Sequence, residues 1–105
     1  MITVVRQCQK EIGEFPKEVR GELADAFARL EEGHKLSMPL SRPMPSIGNR
    51  VHELRVRDRS GIYRVIYWIA REGRVFVLHG FMKKTSKTSK ENIELSKRRM
   101  KEIFL

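Results

Sequence analysis

One arginine stands inside the most β-prone run of the chain, Gly61-Ile62-Tyr63-Arg64-Val65-Ile66-Tyr67-Trp68-Ile69. Side chains alternate between the faces of a strand. Ile62, Arg64, Ile66 and Trp68 therefore share one side, and Tyr63, Val65, Tyr67 and Ile69 the other. A guanidinium keeps its charge, and taking it out of water is costly unless an anion meets it. Arg64 has three options: to snorkel to solvent, to pair with a carboxylate such as Glu53, or to face an anionic ligand. More cations stand nearby in sequence, with Arg55 and Arg57 before the run and Lys83 and Lys84 after it. Guanidinium forks suit paired phosphate oxygens, so the chemistry on offer is anion recognition.

The charge distribution favours a large anion. The chain has a net charge of +9, all of it in one part. Residues 1–48 carry seven basic and seven acidic side chains, whereas residues 49–105 carry 15 basic and six acidic ones. Such asymmetry suits a polyanion, with nucleic acid ahead of a membrane surface, and a merely solubilising excess is the plain alternative. Histidine and cysteine number only His34, His52, His79 and Cys8, without zinc spacing. The acidic residues after position 48 are too scattered to hold magnesium. No metal or cofactor is expected. A single cysteine excludes an internal disulfide. No apolar run nears the ~18 residues of a membrane span. The start, Met1-Ile2-Thr3-Val4-Val5-Arg6, is too short and too soon charged for a signal peptide. These features predict one cytoplasmic domain over residues 1–105.

The elements that must position the cations read as α+β. Residues 2–6 suit a short edge strand, and Gln7 to Phe15 a short helix stopped by Pro16. Val19, Leu23, Ala26, Phe27 and Leu30 recur at spacings of three and four, predicting an amphipathic helix ended by Gly33. Residues 34–50, with Pro39, Pro43, Pro45 and Gly48, read as an extended loop. Val51-His52-Glu53-Leu54-Arg55-Val56-Arg57 alternates, and Arg74-Val75-Phe76-Val77-Leu78-His79-Gly80-Phe81 reads as a further strand, reached through Glu72-Gly73. With the Arg64 run between them, they predict an antiparallel meander. Thr88 and Glu91 fit a capping box, so a C-terminal helix is expected to begin near Ser89. Its apolar positions are Ile93, Met100, Ile103 and Phe104. The expected fold is a set of N-terminal helices packed on a β-meander, followed by a C-terminal helix.

In this order, four strings resemble the RelE/ParE superfamily of bacterial toxins, and within it the HigB-type, phage-derived branch. They are Leu40-Ser41-Arg42-Pro43-Met44-Pro45, His52-Glu53-Leu54-Arg55-Val56-Arg57, Gly61-Ile62-Tyr63-Arg64-Val65-Ile66-Tyr67, and Leu78-His79-Gly80-Phe81-Met82-Lys83-Lys84-Thr85-Ser86-Lys87-Thr88 with Glu91, Ile93, Glu94 and Leu95 behind it. Ser89 departs from the proline usual in that branch. The resemblance implies a RelE-like fold and a ribosome-dependent mRNA endonuclease that inhibits translation. It also implies a cognate antitoxin, often a helix-turn-helix DNA-binding protein, as partner. Basic side chains on the open sheet face hold the mRNA in such proteins; the matching positions are Arg55, Arg57, Arg64 and Lys83. The C-terminal tyrosine of related toxins has no counterpart, because Tyr63 and Tyr67 are the only tyrosines.

Cleaving RNA through its own 2′-OH needs a base for the 2′ proton, cations for the phosphorane, and an acid for the leaving oxygen. On this reading Arg64 stabilises the phosphorane, and Arg55 and Lys83 clamp the substrate or move protons. A lysine crowded by cations such as Lys84 can serve as a base. Arg57, Lys84, His79, Lys87 and Lys90 are candidate RNA contacts, and His79 is the one histidine placed for acid–base work. Lys97-Arg98-Arg99 is either a ribosomal RNA contact or a solvated helix face. Trp68 and Phe81 either stack on bases or join the core. Two other functions stay open: a ParE-like inhibitor of DNA gyrase that cuts nothing, and a bare RNA-binding module.

Overall fold

The computed structural model describes residues 1–83 and 87–103. Along the chain the elements are β1 (Ile2–Val4), α1 (Arg6–Gly13), α2 (Lys17–Glu31), β2 (Ser41–Pro43), β3 (Val51–Asp58), β4 (Gly61–Ile69), β5 (Val75–Lys83) and α3 (Lys90–Glu102). The strands form one sheet in the order β1-β5-β4-β3-β2. The predicted meander is its centre. Asp58 closes the β3–β4 turn by accepting from the Ser60 amide at 2.7 Å, and a single 3-10 turn, Arg71–Gly73, joins β4 to β5. No helix among the described residues is long and apolar enough to cross a membrane.

Strand alternation gives the sheet two different faces. On the first, Leu54, Val56, Tyr63, Val65, Tyr67, Val75 and Val77 are buried against Cys8 of α1 and Val19, Leu23, Ala26 and Leu30 of α2. These α2 positions are the ones its three-and-four spacing picks out. On the second face, Ile93, Met100 and Ile103 pack on Val51, Ile66, Phe76 and Leu78, with Trp68 beside them. A β-bulge shapes this face. Ile66 pairs with His79 and Tyr67 with Val77, so Leu78 is the extra residue on β5.

Three features depart from the sequence reading. The 34–50 loop contains β2, which pairs antiparallel with β3 and sets Arg42 opposite Glu53. The N-terminal strand is an edge strand, as expected, but runs parallel to β5 from Ile2 opposite Val75 to Val4 opposite Val77. The cap of α3 is Ser89, whose Oγ accepts from the Asn92 amide at 3.3 Å. Thr88 caps nothing, because its hydroxyl is drawn into the sheet. The expected core position Phe104 lies outside the described residues.

Candidate functional site

Direct cross-strand neighbours share a face, so the register lays out the second face row by row. Arg57, Ile62 and Lys83 form the outermost row, followed by Arg55, Arg64 and Phe81. Arg42, Glu53, Ile66 and His79 come next, then Val51, Trp68 and Phe76. Successive rows are two residues apart, or roughly 6.6 Å at the usual strand rise. The face thus grades from cationic at the rim to apolar under α3. Arg57 is exposed, whereas Lys83 and Arg55 are half-buried.

Arg64 is fully buried, and so is Glu53. Glu53 Oε1 lies 3.6 Å from Arg64 Nη1, 3.5 Å from Arg42 Nε and 3.8 Å from Arg55 Nε. Thr88 Oγ1 donates to Glu53 Oε2 at 2.5 Å and accepts from Arg64 Nη1 at 3.1 Å. Of the three options for Arg64, pairing with Glu53 is the one this structure holds. Burial draws the Arg64 guanidinium below its usual value; Glu53 acts to raise it, while Arg55 and Arg42 lower it further. Three guanidiniums around one carboxylate leave an excess of two positive charges among the described residues. Arg42 and Arg55 carry that excess toward solvent, with side chains 32% and 23% exposed. Such a cluster can receive a second anion, and phosphate is the anion whose paired oxygens fit guanidinium forks. A groove of about 520 Å³ runs beside it, where Glu22 and Asp25 of α2 face Arg55 and Arg57.

The other candidates are distributed unevenly. Lys87 and Lys90 are exposed on either side of Thr88 in the chain. Lys84 lies outside the described residues. His79 is 4% exposed and sits between α1 and α3. Its Nε2 is 2.6 Å from Asn92 Oδ1, its Nδ1 is 3.2 Å from Glu11 Oε1, and its ring stacks on Phe81. Trp68 packs with Phe76 at 5.8 Å between ring centroids. Tyr63 and Tyr67 are buried on the opposite face, where Tyr67 Oη meets Ser41 Oγ at 2.6 Å. Neither tyrosine borders the cationic rows. Among the described residues no group of three or more His, Cys, Asp or Glu side chains could hold a metal ion. The thiol of buried Cys8 is pushed up to about 12, chiefly by burial, which makes it a poor nucleophile.

Two participants escape a sequence reading. Arg42 lies among prolines, and only the β2–β3 register puts it on Glu53. Glu11 and Arg99 form a second polar cluster. Arg99 Nη1 and Nη2 donate to the two Glu11 oxygens at 2.8 and 2.9 Å, and Nη1 also donates to the Leu78 carbonyl at 2.9 Å. The Gly80 amide donates to Glu11 Oε1 at 3.0 Å. β1 stops opposite Val77, so this cluster satisfies the part of β5 that β1 leaves uncovered. Gly80 permits the approach: a Cβ there would lie 3.2 Å from Ile12 and 3.3 Å from Phe15. Burial pushes the Glu11 carboxyl upward, but hydrogen bonds from Arg99, the Gly80 amide and His79 outweigh it and hold it below the usual carboxylate range. Arg99 therefore does not belong to a uniform solvated stripe with Lys97 and Arg98.

The fold recurs in solved structures. E. coli toxin RelE in the free state, with two arginines replaced by alanine, aligns with a TM-score of 0.58 at 21% identity, over 97% of this chain and 95% of that one. The intact E. coli RelBE toxin–antitoxin complex supplies a chain that aligns at 0.51 and 24% identity, over 80% of this chain and 96% of its own. At these identities the likeness establishes a RelE-like α+β fold, as the order of elements led one to expect. No curated protein matches significantly. The family model described as "Phage derived protein Gp49-like (DUF891)" matches residues 10–101, from the second half of α1 to the last turn of α3, and the chain belongs to that family.

Proposed function

We propose that this protein is the toxin of a type II toxin–antitoxin pair: an endoribonuclease that cuts translated mRNA on the ribosome without a metal ion. The observation that carries the reading is the excess of cations around Glu53, flanked on the same face by Arg57 and Lys83. The RelE-like fold supports membership of the RelE/ParE superfamily. The phage-derived family supports its HigB-type branch. On this reading Arg57 and Lys83 of the outermost row hold the RNA backbone together with Lys84, Lys87 and Lys90. Arg55 and Arg64 stabilise the charge of the phosphorane. Proton transfer is assigned to Lys83 on this reading, supported by both tyrosines facing away and by His79 being engaged on both ring nitrogens. The ribosome supplies the alignment of the 2′-OH that a single open sheet face lacks. The partners are the ribosome with its message, and an antitoxin whose acidic segments complement the cationic face. A helix-turn-helix DNA-binding antitoxin and a cytoplasmic location belong to the same reading.

A second reading rests on the complete burial of Arg64. A guanidinium already paired with Glu53 and Thr88 suits a non-cleaving protein, either a ParE-like gyrase inhibitor or an RNA-binding module. Induced expression followed by primer extension separates the two. New 5′ ends on a translated message, absent from the same message without a start codon, are expected. Intact mRNA with induction of the DNA-damage response would favour the gyrase alternative.

A further inference from the structure

Glu53 is an acid at the centre of a face otherwise suited to anions, and RNA cleavage assigns it no step. It joins four parts of the chain: Arg42 from β2, Arg55 from its own strand, Arg64 from β4, and Thr88 from the segment leading into α3. We propose that Glu53 is a positioning residue, whose buried carboxylate holds Arg42, Arg55 and Arg64 converged so that the cluster receives one phosphodiester. This rests on the RNA-binding reading of the face.

Three observations support the inference. First, three guanidiniums repel one another, and the carboxylate they all approach is the counter-charge that keeps them together. Second, all three lie 3.5 to 3.8 Å from Oε1, within ion-pair range but not at hydrogen-bond distance. Glu53 Oε1 and Arg42 Nε are both buried without a hydrogen-bond partner among the described residues. Glu53 Oε1 thus gathers the cations by charge and not by hydrogen bonds. Third, Oε2 is held by Thr88, which fixes the rotation of the carboxylate and keeps Oε1 toward the arginines. A residue that only filled space would need neither the charge nor this orientation.

Two variants separate position from charge. Glu53→Asp keeps the charge and withdraws the carboxylate by one methylene. Glu53→Gln keeps the shape and removes the charge. Each is compared with the parent in three ways: ribosome binding by sedimentation, cleavage of a translated message in single turnover, and the arginine Nε–H resonances by NMR. The expected result is a split. Ribosome binding stays within about threefold for Glu53→Asp and is equal or tighter for Glu53→Gln, while cleavage falls about 10²-fold in both, as misplaced groups produce. The dispersed Nε–H signals of the three arginines should move toward the positions of exposed arginines. Unchanged cleavage in a folded variant would overturn the proposal. So would a fall of binding and cleavage in equal proportion. Should Glu53→Gln fail to fold, Glu53→Asp and the spectra decide. Should the parent cut nothing, the nuclease reading fails by itself, and inorganic phosphate then probes Glu53. Shifts of the Nε–H signals at lower phosphate in the parent than in Glu53→Asp support positioning, and identical titrations overturn it.

Discussion

Two carboxylates of this protein, Glu53 fully buried and Glu11 half-buried, attract arginines, and they do so to opposite ends. Glu11 has a near-complete set of partners: a two-pronged contact with Arg99 at 2.8 and 2.9 Å, the Gly80 amide at 3.0 Å and His79 at 3.2 Å. Its surroundings join α1, β5 and α3 into one body. Glu53 has one hydrogen bond at 2.5 Å from Thr88 and three guanidiniums at 3.5 Å or more. The first cluster has spent its donors on the protein itself and is a clasp. The second gathers three guanidiniums on one carboxylate among the described residues, and on the proposed reading that cluster is what an RNA phosphate meets. Proximity of Arg to Glu does not distinguish a structural pair from a site; closure of the hydrogen bonds and balance of charge do.

The largest effect expected is on the Glu53 side. Arg64→Lys leaves a positive charge opposite Glu53 but removes the planar fork. Cleavage of translated mRNA should fall by about 10²–10³-fold, or roughly 3–4 kcal/mol, as loss of one transition-state contact does. The urea midpoint should lie nearer the parent's than that of Arg64→Ala, which leaves Glu53 with one cation fewer and opens a cavity. Full activity in Arg64→Lys would show that Arg64 is structural in the way Arg99 is.

On the Glu11 side the consequence reverses. Arg99→Ala leaves Glu11 partly buried without its strongest partner and removes a donor from the Leu78 carbonyl. Breaking such a pair costs about 3 kcal/mol of folding stability. Urea denaturation measures this directly. Cleavage per folded molecule should stay within about threefold of the parent, since among the described residues none of Arg42, Arg55, Arg64 and Glu53 bonds to Arg99 and its one neighbour among the candidates is His79, at 3.4 Å. A loss below roughly 1 kcal/mol would place this contact with ordinary surface pairs.

The same pair predicts a pH dependence. The Glu11 carboxyl lies below its reference value of 4.5 in the folded chain. Its contribution is therefore fully present above that value, where the carboxylate is ionised in both states. It is lost as pH falls below 4.5 and through the folded pKa, because the unfolded chain takes up the proton first. Glu11→Gln should be less stable than the parent near neutrality and should lose less stability on acidification. Parallel curves for the two proteins would mean that the hydrogen bonds to Glu11 do not favour its charged form.

Much of this arrangement was legible in the sequence. The β-branched run at 61–69 fixed β4 and its faces, and Val19, Leu23, Ala26 and Leu30 identified the buried stripe of α2. Neighbouring strands made Glu53 a partner for Arg64 in advance. The convergence on Glu53 was not legible, because it depends on contacts made only in the folded chain. β2 is three residues long, and its pairing is visible only once β3 is in place. Thr88 matched a capping signal, yet its hydroxyl is used 35 residues away on Glu53 while Ser89 takes the cap. Glu11 and Arg99 stand 88 residues apart, and no local pattern links an α1 carboxylate to the end of a basic run.

That basic run gives the smallest and sharpest test. Lys97, Arg98 and Arg99 are consecutive, but only Arg99 is committed to the clasp. Lys97 lies 3.8 Å from Glu94 at the helix surface, and Arg98 is exposed. Replacing all three would confound ribosome contact with loss of the Arg99 clasp, so the informative variant is Lys97→Ala with Arg98→Ala. If about five phosphates are neutralised on the ribosome, the log–log salt slope of binding lies near −3.5 to −4.5. If Lys97 and Arg98 make two of those contacts, the slope flattens by about 1.4 to 1.8, while the urea midpoint and the cleavage of bound message stay with the parent. Sedimentation with ribosomes over a salt series reads the slope for both proteins. An unchanged slope would assign Lys97 and Arg98 to the solvated face of α3 and leave the cationic rows from Arg57 to Glu53 as the surface that meets RNA.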